Sequence, residues 1–175
     1  MAIRRQYFRA NNLCREIMTT ITLRVNGVSH TVESDPATPL IFILRNNLGL
    51  TGSKLGCGLE TCGACAVLVD GEPELSCVRA VSEFEGHDIT TVEGLMEDGK
   101  LSTVQDAFVT DGAAQCGYCI PGIVVATTGL FKKNSAPDDA AITEALEKHL
   151  CRCGSHANVL KAVKRIAADG GLNNG

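Results

Sequence analysis

The sequence predicts an α+β fold in two parts, and three observations carry that prediction. Apolar residues recur with a period of two in the first part and with helical spacing beyond Leu101. The pairs Asn26-Gly27 and Asp70-Gly71 punctuate the period-two segments, whereas Ser102 and Pro137-Asp138 open helical ones. Eight of the nine cysteines fall into two close groups, one in each part.

The elements follow in order. Residues 1–18 show no periodicity, so a disordered or extended leader and a start at Met18 are both open; the lone Cys14 lies in this stretch. A first domain is expected over 19–96. Ile21, Leu23 and Val25 alternate with polar residues as in a half-buried strand, and Val28 to Val32 returns after a type I′ turn at Asn26-Gly27. Leu40, Ile41, Ile43, Leu44 and Leu48 suit a short helix that begins after Pro39 and ends at Gly49. A glycine-rich loop spans Gly52 to Gly63. Ala66 to Val69, Glu74 to Val78 and Ile89 to Val92 read as strands, with Cys77 on the second of them.

Gly94 to Lys100 reads as a linker into a second domain over 97–168. Ser102 with Gln105 makes a capping box for a helix through Phe108. Pro121 starts a second helix toward Lys132-Lys133, cations suited to a helix C-terminus. Asp138-Asp139 introduces a third helix, with Ile142, Leu146 and His149 on one side. Asn158 to Ala168 makes a fourth. Four short helices joined by cysteine loops imply a compact bundle. Residues 169–175 read as a flexible tail.

Composition excludes several functions. The formal net charge is −4, and no Lys/Arg tract is interleaved with aromatics, which argues against nucleic acid as a partner. No segment reaches the roughly 20 apolar residues of a membrane span. Arg4-Arg5 lacks the apolar run of an export signal, so a soluble, cytoplasmic protein is expected. In such a chain, many cysteines point to metal or redox chemistry rather than to disulfides.

The first set, Cys57, Cys62, Cys65 and Cys77, has the C-x4-C-x2-C…C spacing of a plant-type 2Fe–2S ferredoxin site. Four thiolates, two ferric ions and two sulfides carry a charge of about −2, which is costly to bury unpaired. Gly56, Gly58 and Gly63 let the loop turn backbone N–H groups toward the sulfurs. The second set, Cys116, Cys119, Cys151 and Cys153, is ambiguous by spacing alone, and a four-cysteine zinc site stays open. Both of its halves precede predicted helices, whose free N–H groups and positive dipole ends favour thiolates and an anionic cluster.

The residues around these cysteines are distinctive. Gln115-Cys116-Gly117-Tyr118-Cys119-Ile120-Pro121-Gly122 and Leu150-Cys151-Arg152-Cys153 resemble the iron–sulfur subunit of the molybdenum hydroxylase family, which includes xanthine dehydrogenase and the aldehyde and isoquinoline oxidoreductases. Leu48 to Gly58 and Cys62 to Cys65 look like the same family. The resemblance implies a β-grasp ferredoxin domain followed by a four-helix bundle, each holding one 2Fe–2S cluster. It implies an electron-transfer subunit whose partner is a large subunit binding molybdopterin. Gln115 occupies the place of the family's pterin-contacting glutamine; an amide offers both donor and acceptor. Electrons would then pass from molybdenum through the bundle cluster to the ferredoxin cluster. Beyond that lies FAD in a flavin subunit, or a cytochrome-type acceptor.

After Cys153 this chain has Gly154-Ser155-His156 where the family often has Thr-Gly-Tyr, a tilt toward N-heteroaromatic or aldehyde substrates. His156 is expected to pack near the last helix or to reach the partner rather than to bind iron, and His149, on a helix near the second site, is expected to be solvated. The chain itself shows no arrangement of residues for substrate chemistry. An independent ferredoxin-like carrier and a zinc-stabilised interaction module are the competing readings.

Overall fold

A computed structural model of the protein describes residues 17–172. The expectations for residues 1–16, including Cys14, and for 173–175 lie outside the described residues.

Strand β1 (Thr19–Val25) buries Ile21, Leu23 and Val25 and turns its polar residues outward. Asn26 and Gly27 both take positive φ, 52° and 78°, as a type I′ turn needs. They deliver β2 (Val28–Ser34) antiparallel to β1, with Val25 opposite Val28. Helix α1 (Leu40–Phe42) widens into a π turn over Ile43–Asn47, so the regular helix expected here lasts one turn. Ile43 and Leu44, adjacent in sequence, are both buried in this wider turn.

Strands β3 (Ala66–Val69), β4 (Glu72–Leu75) and β5 (Asp88–Thr90) complete one sheet of order β2-β1-β5-β3-β4. The β1–β5 pair is parallel and the other pairs are antiparallel. The run Ala-Val-Leu-Val in β3 is apolar at every position because both faces are covered. Val67 joins Leu40, Leu44, Phe84 and Ile89 in one core. Ala66 and Leu68 face a second core made by the helices.

Those helices are α2 (Thr103–Thr110), α3 (Ile120–Lys133), α4 (Asp139–Leu146) and α5 (His156–Ala168). Ser102 and Gln105 form both bonds of the capping box at α2, at 3.3 and 2.9 Å. Helix α3 is central and is buried from Gly122 through Gly129. None of the helices among the described residues is long and apolar enough to cross a membrane.

The structure corrects the sequence reading at several points. Strand β4 ends at Leu75, because the Asp70-Gly71 turn pairs Ala66 with Leu75. Cys77 therefore lies in a bend beyond the strand. There the Ser76 hydroxyl donates to the Cys65 carbonyl at 2.7 Å. The strand expected to Val92 stops at Thr90 and gives way to a 3-10 turn, Val92–Leu95. Gly94 to Lys100 is not a loose linker: the Asn26 side chain bonds the Thr91 amide and hydroxyl, and Glu97 pairs with Lys100. The expected tail is packed as far as Leu172, since the Gly171 amide bonds Ile166 and Leu172 joins the helical core. His149 is buried, at 6% exposure, rather than solvated.

Candidate metal centres

The loop carrying the first cysteines is closed at its base by the Lys54 amide donating to the Ala64 carbonyl at 2.9 Å. Within it, the Leu59 and Thr61 amides donate to the Cys57 sulfur at 3.3 and 3.4 Å, and the Cys57 amide donates to the Cys62 sulfur at 3.3 Å. Gly58 has a φ of +65°, and this left-handed turn folds the Leu59 amide back onto Cys57. Glu60 reaches a φ of +55° just before the Thr61 amide, a conformation that costs a non-glycine residue energy. Gly56 sits so close to Cys62 that a β-carbon would stand 2.6 Å from its sulfur. The amides that reach the sulfurs here belong to Cys57, Leu59 and Thr61 rather than to the glycines themselves.

The Thr61 hydroxyl and these amides pull the exposed Cys57 thiol down to about 6. Burial pushes Cys65, beside Cys77, up to about 12. Deprotonation of Cys65 therefore calls for a cation to take up the charge.

The second set is brought together by the starts of two helices. Cys119 is the residue before α3, and Cys151 and Cys153 lie in the turn that leads into α5. The Cys116 and Cys153 thiols are within hydrogen-bonding reach of one another, as are those of Cys119 and Cys151. The Tyr118 amide lowers Cys116. Burial pushes Cys119 up to about 12, and the Ser155 hydroxyl brings Cys151 down to about 7. His156 turns its Nε2 to accept from the Cys151 amide at 3.1 Å, not toward the sulfurs.

Among the described residues, no three His, Cys, Asp or Glu side chains converge as one ion would require. Neighbouring thiols instead perturb one another, Cys57 and Cys62, Cys65 and Cys77, Cys116 and Cys153, and Cys119 and Cys151, with Cys116 and Cys151 also within each other's field. Two thiolates per metal is what each iron of a 2Fe–2S cluster takes. Residues and cluster are therefore compatible at both sites.

The two loops also touch. The Leu150 amide donates to the Cys62 carbonyl at 3.1 Å, and the Tyr118 hydroxyl donates to the Leu55 carbonyl at 2.8 Å. Helix α3 begins against the first loop, where a β-carbon on Gly122 would stand 2.1 Å from the Gly63 carbonyl oxygen. His149 fills the remaining space with its ring on Gly63. Its Nδ1 has no hydrogen-bond partner, and burial pushes the imidazole down to about 4, so it is neutral. Gln115 is exposed beside the exposed Cys116. Sequence reasoning missed the burial of His149 and the approach of the Ser155 and Thr61 hydroxyls to sulfur, since a lone histidine or hydroxyl carries no spacing signal.

A model of the 2Fe-2S iron-sulfur cluster binding domain matches residues 23–91, and one of the 2Fe-2S binding domain matches residues 91–164. The nicotinate dehydrogenase small FeS subunit of Eubacterium barkeri is 41% identical over 152 residues, covering 85% of this chain and 97% of the relative. The aldehyde oxidoreductase iron-sulfur-binding subunit PaoA of Escherichia coli K12 is 37% identical, over 88% of this chain and 73% of its own length. Among solved structures, quinoline 2-oxidoreductase from Pseudomonas putida 86 superposes with a TM-score of 0.82 at 33% identity, covering 88% of this chain and 96% of that one.

Proposed function

The chain belongs to the iron–sulfur subunits of the molybdenum hydroxylases, and from that premise we propose that it relays electrons from a molybdopterin-binding large subunit through the helical site to the ferredoxin-type site. The observation that carries this reading is the gathering of eight thiols at two sites, four at each, whose segments touch through the Leu150–Cys62 backbone bond. When bound, the two 2Fe–2S clusters supply one-electron storage at each site. Cys57, Cys62, Cys65 and Cys77 hold one, in a β-grasp domain over 19–96. Cys116, Cys119, Cys151 and Cys153 hold the other, in a four-helix bundle over 97–168.

The remaining residues prepare these sites. The amides of Leu59 and Thr61 offset negative charge at Cys57. His149 and Gly63 exclude water from the seam between the loops, which keeps the sites in close, dry contact. Exposed Gln115 presents an amide from the helical site outward, suited to hydrogen bonding a pterin edge. Leu59 and Leu150, 73% and 59% exposed, lie on the loops of the two sites, as a surface covered by a larger subunit would require.

Relatives named for nicotinate, quinoline and aldehyde oxidation support an N-heteroaromatic or aldehyde substrate for the whole complex, in line with Gly154-Ser155-His156. FAD in a further subunit or a cytochrome-type acceptor would take the electrons onward. The setting would be cytoplasmic.

The test is purification of the chain with its co-expressed partners, followed by metal analysis and electron paramagnetic resonance (EPR). The reading requires molybdenum in the partner, about four irons in this chain and two distinct signals after dithionite. Zinc without iron, or full activity from the isolated chain, overturns it.

A further inference from the structure

Ser155 stands where a serine ordinarily caps a helix, at the residue before α5. Its side chain caps nothing: the backbone carbonyl accepts from the Val159 amide at 3.0 Å, while the hydroxyl turns away from the helix. That hydroxyl lies 3.0 Å from the Cys151 sulfur, in a residue only 4% exposed, so bulk water does not compete for it. The left-handed turn at Gly154, with a φ of +81°, folds the chain back onto Cys151. The next residue, His156, accepts from the Cys151 amide at 3.1 Å. Two consecutive side chains thus hold the sulfur and the backbone of one cysteine.

Chemistry fixes the direction of the first contact. Between a free thiol and a hydroxyl either group can donate. Once the sulfur is bound to iron the cysteine has no proton to give, so the serine donates. An O–H···S bond to a ligand sulfur favours the more negatively charged, reduced form of a cluster.

We propose that Ser155 is a tuning residue for the helical cluster, whose O–H···S bond to Cys151 raises the reduction potential of that cluster while His156 holds the Cys151 backbone in place. The inference rests on the assignment of a 2Fe–2S cluster to Cys116, Cys119, Cys151 and Cys153. It assigns to the Gly154-Ser155-His156 segment a role at the site next to Gln115. The entry cluster is thereby made the better electron sink.

The experiment is an EPR-monitored redox titration of the loaded complex, comparing wild type with Ser155→Ala and Ser155→Thr. Ser155→Ala should shift the helical cluster to lower potential and leave the ferredoxin-type cluster unmoved. Ser155→Thr, which restores the hydroxyl, should titrate like wild type. Resonance Raman bands from Fe–S stretching of the helical cluster should respond to D2O in wild type and Ser155→Thr, with that response reduced in Ser155→Ala. An unshifted potential in Ser155→Ala overturns the proposal. So does loss of the helical cluster from that variant, which would make the hydroxyl an assembly element instead. Wild-type protein without iron at the helical site overturns the cluster assignment itself, an outcome distinct from both.

Discussion

The His149 ring lies against the α-carbon of Gly63, where a β-carbon would stand 2.2 Å from Nδ1. Gly63 also has a φ of +72°, so the position excludes side chains twice, by conformation and by contact. Gly63→Ala should destabilise the protein by about 1–2 kcal/mol for the left-handed backbone alone, and further through displacement of a buried ring. Adding His149→Ala should recover the contact part and leave the conformational part. Thermal unfolding of the two single variants and the double variant measures this: the combined loss should fall short of the sum by about 1 kcal/mol or more. Strict additivity would mean the ring does not bear on Gly63.

Cys119 is the thiol of its set that burial raises, and it lies beside Cys151. Cys119→Ser should empty the helical site of iron and leave the first loop intact, because their ligands are separate. Iron per chain should drop to about half, with the ferredoxin-type EPR signal retained. Substrate-driven turnover of the complex should stop. Wild-type turnover with half the iron would contradict the proposed route.

How far the sequence disclosed this molecule follows from where its information is local. The Asn26-Gly27 turn and the Ser102–Gln105 box were legible because a few adjacent residues fix each geometry. The family was legible from the cysteine spacings and their neighbours. The seam was not. His149 looked like a solvated helix histidine, and only tertiary packing of α4 and the first loop buries it. Ala66 to Val69 read as a strand, but nothing local told that α3 would cover the face bearing Ala66 and Leu68. Gly94 looked like a linker residue because the Asn26 side chain that pins it lies nearly seventy residues away in sequence, as Thr91 does at a separation of 65. Ser155 stood out only as part of the Gly154-Ser155-His156 departure, and its turn toward sulfur follows from the left-handed turn at Gly154 and the tertiary placement of Cys151.

Gln115 is exposed directly before Cys116, so its side chain can be removed without opening a core. Gln115→Ala should leave both cluster signals and the thermal stability unchanged. Reduction of the clusters by substrate in the complex should slow by about tenfold, the equivalent of one lost hydrogen bond of about 1.4 kcal/mol. Reduction by dithionite should keep its wild-type rate, since it bypasses the partner. Stopped-flow absorbance with each reductant separates the two. Loss of a cluster would place Gln115 in assembly instead of electron entry.

Asp111 ties the end of α2 to α5 through Arg165 at 2.8 Å and Lys161 at 3.2 Å, with its side chain only 6% exposed. The Arg165 hydrogen bond, then that of Lys161, holds its carboxyl below the usual carboxylate range. A carboxylate lowered on folding contributes stability that is complete above its unfolded value of about 4 and is lost as pH falls through the lowered folded value. Asp111→Asn should therefore lower Tm by a constant amount between about pH 5 and 8. Below about pH 4 the gap between wild type and variant should narrow, as wild-type Asp111 takes up its proton. Paired melts at each pH give this difference directly, because acid damage to the rest of the chain is common to both proteins. A gap that stays unchanged into strong acid would assign the contribution of Asp111 to shape and neutral hydrogen bonding, not to charge.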